Sequence, residues 1–220
     1  MKSSIAGRPA FAHIEIELDP GESIIAEPDA MAHMDPGLRL STGLNGGFFP
    51  GLARKFLGGE SLFINTYTNP DNEAQSITLT QSCPGDMIEI DLAPGQELGL
   101  SGGSYIASTP SVQIGTRWAG IGSMIAGEGL FKLKVTGPGK VWIGAYGGII
   151  PVRIEGEQII DSGHLVAWEP SMKLKTQLSG GLISSLTSGE GLVTRVEGNG
   201  TVYLQSRSLD SFAGWVNSRL

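Results

Sequence analysis

Two stretches decide how this chain is read: GEGLFKLKVTGPGKVWI, residues 127–143, and GEGLVTRVEGNGTVYLQ, residues 189–205. Both run Gly-Glu-Gly-Leu, then a β-rich segment, then Val-x-Gly-x-Gly, then a second β-rich segment. In the first, Phe131, Leu133 and Val135 alternate with Lys132 and Lys134, the period-two pattern of a half-buried strand. Gly137-Pro138-Gly139 then reads as a turn, with KVWIGAY returning as the second strand of a hairpin.

Working outward, the same grammar recurs. PGESIIAEPDAMAHMDPGLRLST from Pro20, PGQELGLSGGSYIASTPSVQIGTR from Pro94 and EGEQIIDSGHLVAWEPSMKLKTQ from Glu155 each pass through a strand and a turn. Each then reaches an alanine (Ala32, Ala107, Ala167), meets a proline shortly after, and ends in an alternating strand. Between them stand three Gly-Glu hairpins, at Gly59–Glu60, Gly127–Glu128 and Gly189–Glu190. HIEIEL at 13–18, SLFINTYT at 61–68, SITLTQ and MIEIDL add further strands, the last two separated by the turn signal Cys-Pro-Gly-Asp. Helical periodicity is nearly absent. Only SLDSFAGWVNSRL at the C-terminus suits a short helix, with Gly214 weakening it.

The expected architecture is therefore all-β: three tandem antiparallel repeats with pseudo-threefold character in one domain, a barrel or triangular sandwich. The units span about 14–90, 91–150 and 151–208, with a tail at 209–220. A small β unit cannot bury its own apolar face, whereas three side by side share a core. Exposed edge strands at the ends of such an array favour homo-oligomerisation.

Composition agrees. The 220 residues are 40% apolar and 17% charged, and the 33 glycines carry no collagen period. The net charge of −7 argues against broad binding to nucleic acid or anionic membrane. A single cysteine, Cys83, excludes an internal disulfide and points to a reducing compartment. The N-terminal segment has neither a secretory nor a transit pattern, and no apolar run reaches membrane-spanning length. A cytoplasmic location is expected.

The segments GGFFPGLARKFLGGESLFINTYTN, GSYIAS, GEGLFKLKVTGPGKVWIGAYG, GEQIIDSGHLVAW and GEGLVTRVEGNGTVYLQSRS together resemble the AIM24 family, formerly a domain of unknown function. The resemblance covers about residues 20–208. It implies a fold of three β repeats similar to the tryptophan RNA-binding attenuation protein, assembled as a homotrimer. It supplies no catalytic residues. The family's mitochondrial member is associated with the inner membrane, a location the absent transit pattern does not transfer to this chain.

Candidate sites are few. Glu60, Glu128 and Glu190 form a ring of carboxylates only if the hairpins converge; otherwise each caps a turn. His13, His33 and His164 show no metal-ligand spacing, although His33 and Asp35 lie on the same side of a strand. Cys83 has no histidine near it in sequence. In the Gly-rich stretch 43–59, Arg54 and Lys55 are the candidate anion-binding pair, since adjacent cations in such a loop present side chains and backbone N–H groups together. Lys132, Lys134 and Lys140 beside Trp142 are the only arrangement suited to single-stranded RNA. Trp118, Trp142, Trp168 and Trp215 are read as core or subunit-interface residues. The expected function is a non-catalytic oligomeric β scaffold or binding module without cofactor or metal, its place peripheral to a membrane complex. The alternatives are a small-ligand binder or enzyme with a site between repeats or subunits, and RNA binding.

Overall fold

The computed structural model describes residues 1–44, 63–118, 131–178 and 192–219. It is all-β; among the described residues the paired strands run antiparallel, with an isolated parallel bridge between Gly85 and Gly147. The first sheet contains β1 (Lys2–Ala6), β2 (His13–Leu18), β7 (Gln75–Leu79) and β4 (Met31–Met34), in that order. The second runs β5 (Arg39–Leu44), β6 (Phe63–Thr68), β3 (Ser23–Ala26), β10 (Tyr105–Ser108), β13 (Gly139–Gly144) and β8 (Met87–Leu92). The third runs β11 (Gln113–Trp118), β12 (Phe131–Thr136), β9 (Glu97–Leu100), β15 (Leu165–Trp168), β17 (Leu192–Gln205) and β14 (Ile149–Asp161). Strand β16 (Lys173–Leu178) pairs with the first half of β17.

Alternation in the sequence sets which face is buried. Ile14, Ile16 and Leu18 of β2 are at most 2% exposed, while Glu15 and Glu17 point outward. Together with Ile24, Tyr67, Leu79 and Trp142 they form a core between the first two sheets. A second core, with Leu98, Leu100, Val135, Val141, Ile143 and Val166, joins the second sheet to the third. A third gathers Ile154, Ile160, Trp168, Met172, Val196 and Val202. Each fully buried aliphatic side chain contributes about 1.5–3 kcal/mol before ordering costs.

The hairpin expectation for residues 127–143 is corrected. Strands β12 and β13 follow one another but do not pair: β12 lies between β11 and β9, and β13 lies between β10 and β8. Gly137 and Gly139 carry the chain from one sheet to the other. A Cβ on Gly137 would lie 2.4 Å from the Ala93 carbonyl oxygen, and Gly139 has φ +136° against the Thr109 hydroxyl. The second stretch is not a hairpin either. Val196 to Gly200 run straight through the 14-residue strand β17, with Gly198 at φ +133°. In both places glycine serves close backbone approach and left-handed φ, not reversal.

Two elements differ further from expectation. The strand β1 is absent from the sequence expectation; it pairs with His13 to Glu17 of β2 and covers that edge. The C-terminal helix, α1 (Leu209–Asn217), forms in spite of Gly214, capped by Ser208, whose Oγ accepts from the Ser211 N–H at 3.4 Å. No helix among the described residues is long and apolar enough to cross a membrane.

Candidate functional site

The strands leave a cavity of about 500 Å³ where the turns at 101–104 and 161–164 meet the end of β13 and the start of α1. Glycine and serine dominate these turns, so backbone and hydroxyl groups share the lining with Tyr146, Leu165, Leu192 and Leu209. Asp161 ends β14 and accepts from the Gly163 N–H at 2.8 Å, closing the short 3-10 turn Ser162–His164. Gln205, at the end of β17, ties two walls together: its Nε2 donates to the Gly163 carbonyl at 2.7 Å and its Oε1 accepts from the Tyr146 N–H at 2.9 Å. Ser162 and Thr194 share a hydroxyl hydrogen bond of 2.8 Å, and Ser101 Oγ donates to the Leu165 carbonyl at 2.5 Å. Among the described residues the acidic groups lining the cavity are Asp161 and Asp210, and no lysine or arginine lines it. Such a lining suits an uncharged, hydroxyl- or amide-bearing molecule, or a cation, better than an anion.

Cys83 also lines this cavity and is half-buried. Burial pushes its thiol pKa up, and the negative charge of Glu27 adds to that. A raised pKa disfavours the thiolate, so its setting does not activate a nucleophile. Glu27 itself is pushed up to about 8, by burial first and by Asp29 second. It follows β3, where its N–H donates to the Ile106 carbonyl at 2.9 Å. Tyr105 is also raised by burial, against the opposing effect of its 2.9 Å hydrogen bond with Ser108. Sequence spacing gave no sign of this group, because Glu27 and Tyr105 are brought near each other by the pairing of β3 with β10 within the second sheet, and Cys83 by the connection from β7 to β8.

The sequence candidates fare differently. Arg54, Lys55, Glu60, Glu128 and Glu190 lie outside the described residues. His164 Nδ1 is 2.7 Å from the Gln205 carbonyl oxygen, and His13 lies 3.7 Å from Glu15. His33 is exposed on β4, while Asp35 accepts from the Ser76 N–H at 2.6 Å. Among the described residues no three His, Cys, Asp or Glu side chains stand together as a metal site.

The core reading of Trp142 holds, and the alternative of a basic stacking surface beside it does not. Trp142 is fully buried, with its indole N–H lacking a protein acceptor. Lys134 on β12 pairs with Glu97 at 2.6 Å, and Lys140 on β13 pairs with Glu89. The two lysines stand in different sheets, and the aromatic that would stack a base is in the core. Of the other tryptophans, Trp168 is buried at 8% exposure and Trp215 is exposed on α1. There Trp215 stacks on Phe212 and carries the Arg219 guanidinium over its ring at 4.2 Å.

Comparisons with known proteins fit this picture. An uncharacterized protein of Streptococcus pyogenes serotype M6 is 30% identical over 223 aligned positions, which cover 97% of this chain and 89% of that protein. The crystal structure of a protein from Streptococcus pyogenes is similar with a TM-score of 0.83 at 28% identity, covering 100% of this chain and 99% of that one. Residues 3–207 match the family described as Mitochondrial biogenesis AIM24, and with nearly its whole length inside that match the chain belongs to the AIM24 family.

Proposed function

We propose that this protein is a non-catalytic binding module on an oligomeric β scaffold. Its binding site is the cavity between the 101–104 and 161–164 turns, and its ligand is a small uncharged molecule rich in hydroxyl or amide groups. The observation that carries this reading is the lining: peptide groups of Gly163 and Tyr146 held by Gln205 and Asp161, the hydroxyls of Ser101, Ser162 and Thr194, and no cationic side chain among the described residues. Pre-positioned polar groups of this kind bind without a large ordering cost.

The scaffold is read as three copies of one unit with pseudo-threefold character, comparable to the attenuation-protein fold, and as a homotrimer in the cytoplasm. The recurrence of strand pairings supports the repeat. The aromatic face of α1, with Leu209, Phe212 and Trp215 about half exposed, supports contact with a larger assembly, including a peripheral place at a membrane complex.

The experiment is native mass spectrometry of protein taken gently from its own cells, alongside a Ser211→Trp variant. Ser211 lines the cavity from the exposed first turn of α1. A retained mass of a hydroxyl- or amide-bearing compound, lost on denaturation and absent from the variant, supports the proposal. A retained anion, or a compound that survives in the variant, overturns the assignment of this cavity. Turnover of that compound by the wild-type protein overturns the non-catalytic reading.

A further inference from the structure

Two junctions join three-strand groups within the sheets, and they are built alike. At the first, β3 meets β10 with Ala26 opposite Ala107 and Ile25 opposite Ser108. At the second, β9 meets β15 with Leu100 opposite Ala167 and Gly99 opposite Trp168. Each is closed by the same backbone bond just beyond the first strand: Glu27 N–H to the Ile106 carbonyl, and Ser101 N–H to the Val166 carbonyl, both 2.9 Å. In each, a group ending in β3 or β9 (β5-β6-β3, β11-β12-β9) meets a group starting with a bulged strand (β10-β13-β8, β15-β17-β14).

Two half-junctions remain. The first sheet contains β4-β7-β2, with its own bulge between Met31 and His33, and β4 forms the sheet's edge. At the other end of the molecule, β16, the first half of β17 and residues 157–161 of β14 repeat the group that ends in β3 or β9, and β14 pairs only with β17 among the described residues. The two edges do not pair with each other in the chain. Their exposure fits missing cover: β10 and β15 are buried at every position, whereas Met31, Ala32 and His33 of β4 are exposed, as is Ile159, at 59%.

The register transfers because a shared turn anchors it. Leu38 N–H to Asp35, Val112 to Thr109 and Met172 to Glu169 close the same turn before β5, β11 and β16. Counting along the ladders, Ile160 and Ile159 take the places of Leu100 and Gly99, and His33 and Met34 take those of Ala167 and Trp168. Contact at this position is close in the existing junction, where a Cβ on Gly99 would lie 2.2 Å from the Trp168 ring.

We propose that β4 of one copy pairs antiparallel with residues 157–161 of the next, His33 opposite Ile160 and Met34 opposite Ile159. This rests on the self-association proposed above and names the surfaces that perform it. The contact is head to tail, so it closes only as a ring, with the homotrimer as the proposed closure. It covers these two edges and continues the sheet from one copy into the next.

The test is disulfide trapping with Met34→Cys and Ile159→Cys in a Cys83→Ser background, since directly opposed residues lie within disulfide reach. Under mild oxidation the double variant gives a ladder ending at a covalent trimer. Each single variant stays monomeric on a denaturing gel, and the two mixed together give dimers only. Dimers from one single variant, or an internal disulfide without a ladder, overturn the proposal. A native trimer that fails to cross-link removes the edge assignment and leaves self-association standing. A monomeric native mass with free thiols removes both. Ile159→Lys is the independent check: it yields a folded monomer if the edge is used, and a folded trimer of unchanged stability overturns it.

Discussion

Glu27 and Asp86 show how differently two carboxyl groups are treated. Glu27 has its pKa raised from 4.5 to about 8, so the folded chain holds a proton that the unfolded chain releases. Its contribution therefore weakens as pH rises from about 4.5 to about 8 and is constant above. Glu27→Gln is expected to flatten that decline and to be the more stable protein at pH 9, by about 1–3 kcal/mol after allowing for its partial exposure. Melting temperatures of both proteins from pH 5 to 9 check this, and parallel curves would refute it. Asp86, at 2% exposure, instead accepts a bidentate bond from Arg8, at 2.7 and 3.0 Å. Arg8→Leu strands that carboxylate, with an expected loss of about 1–3 kcal/mol in urea unfolding because Arg8 is itself half exposed.

Elements were legible where one face decides them. HIEIEL and the segment before Gly137 announce strands because alternation reflects a single buried side, whereas MIEIDL buries Met87 and Leu92 on opposite faces. Partners were not legible. The turn-like glycines of 137–139 look the same in sequence whether a chain reverses or changes sheets, and only the neighbouring Leu92 and Ala93 backbone decides. The same holds for Gly99, an unremarkable strand glycine until Trp168 lies across it. Gly99→Ala is expected to displace that indole, lowering stability by about 1–3 kcal/mol and shifting tryptophan emission to the red. Unchanged emission with wild-type stability would show that the ring has room to move. The alanine matched in the first segment, Ala32, falls one place short: the ladders make His33 the counterpart of Ala107 and Ala167.

For the whole molecule, the expectation is a concentration-dependent assembly carried by β4 and the second half of β14. Dilution of the wild-type protein monitored by light scattering should lower its mass in step with exposure of these edges to hydrogen exchange. Protection that stays high in a demonstrated monomer would contradict the edge assignment. The cavity belongs to this scale too. Its walls come from residues 83, 101–104, 144–146, 161–163 and 205–211, which no motif connects. By itself the sequence determined the all-β class, most strand positions, the short helix and the family, since periodicity and turn chemistry are local properties and the family motifs extend along nearly the whole chain. Only the tertiary structure decided which strands pair, that Lys134 and Lys140 stand in different sheets, and where Glu27 and the cavity lie. Those outcomes depend on hydrogen-bond register and desolvation between segments far apart in the chain, and a linear pattern does not encode either.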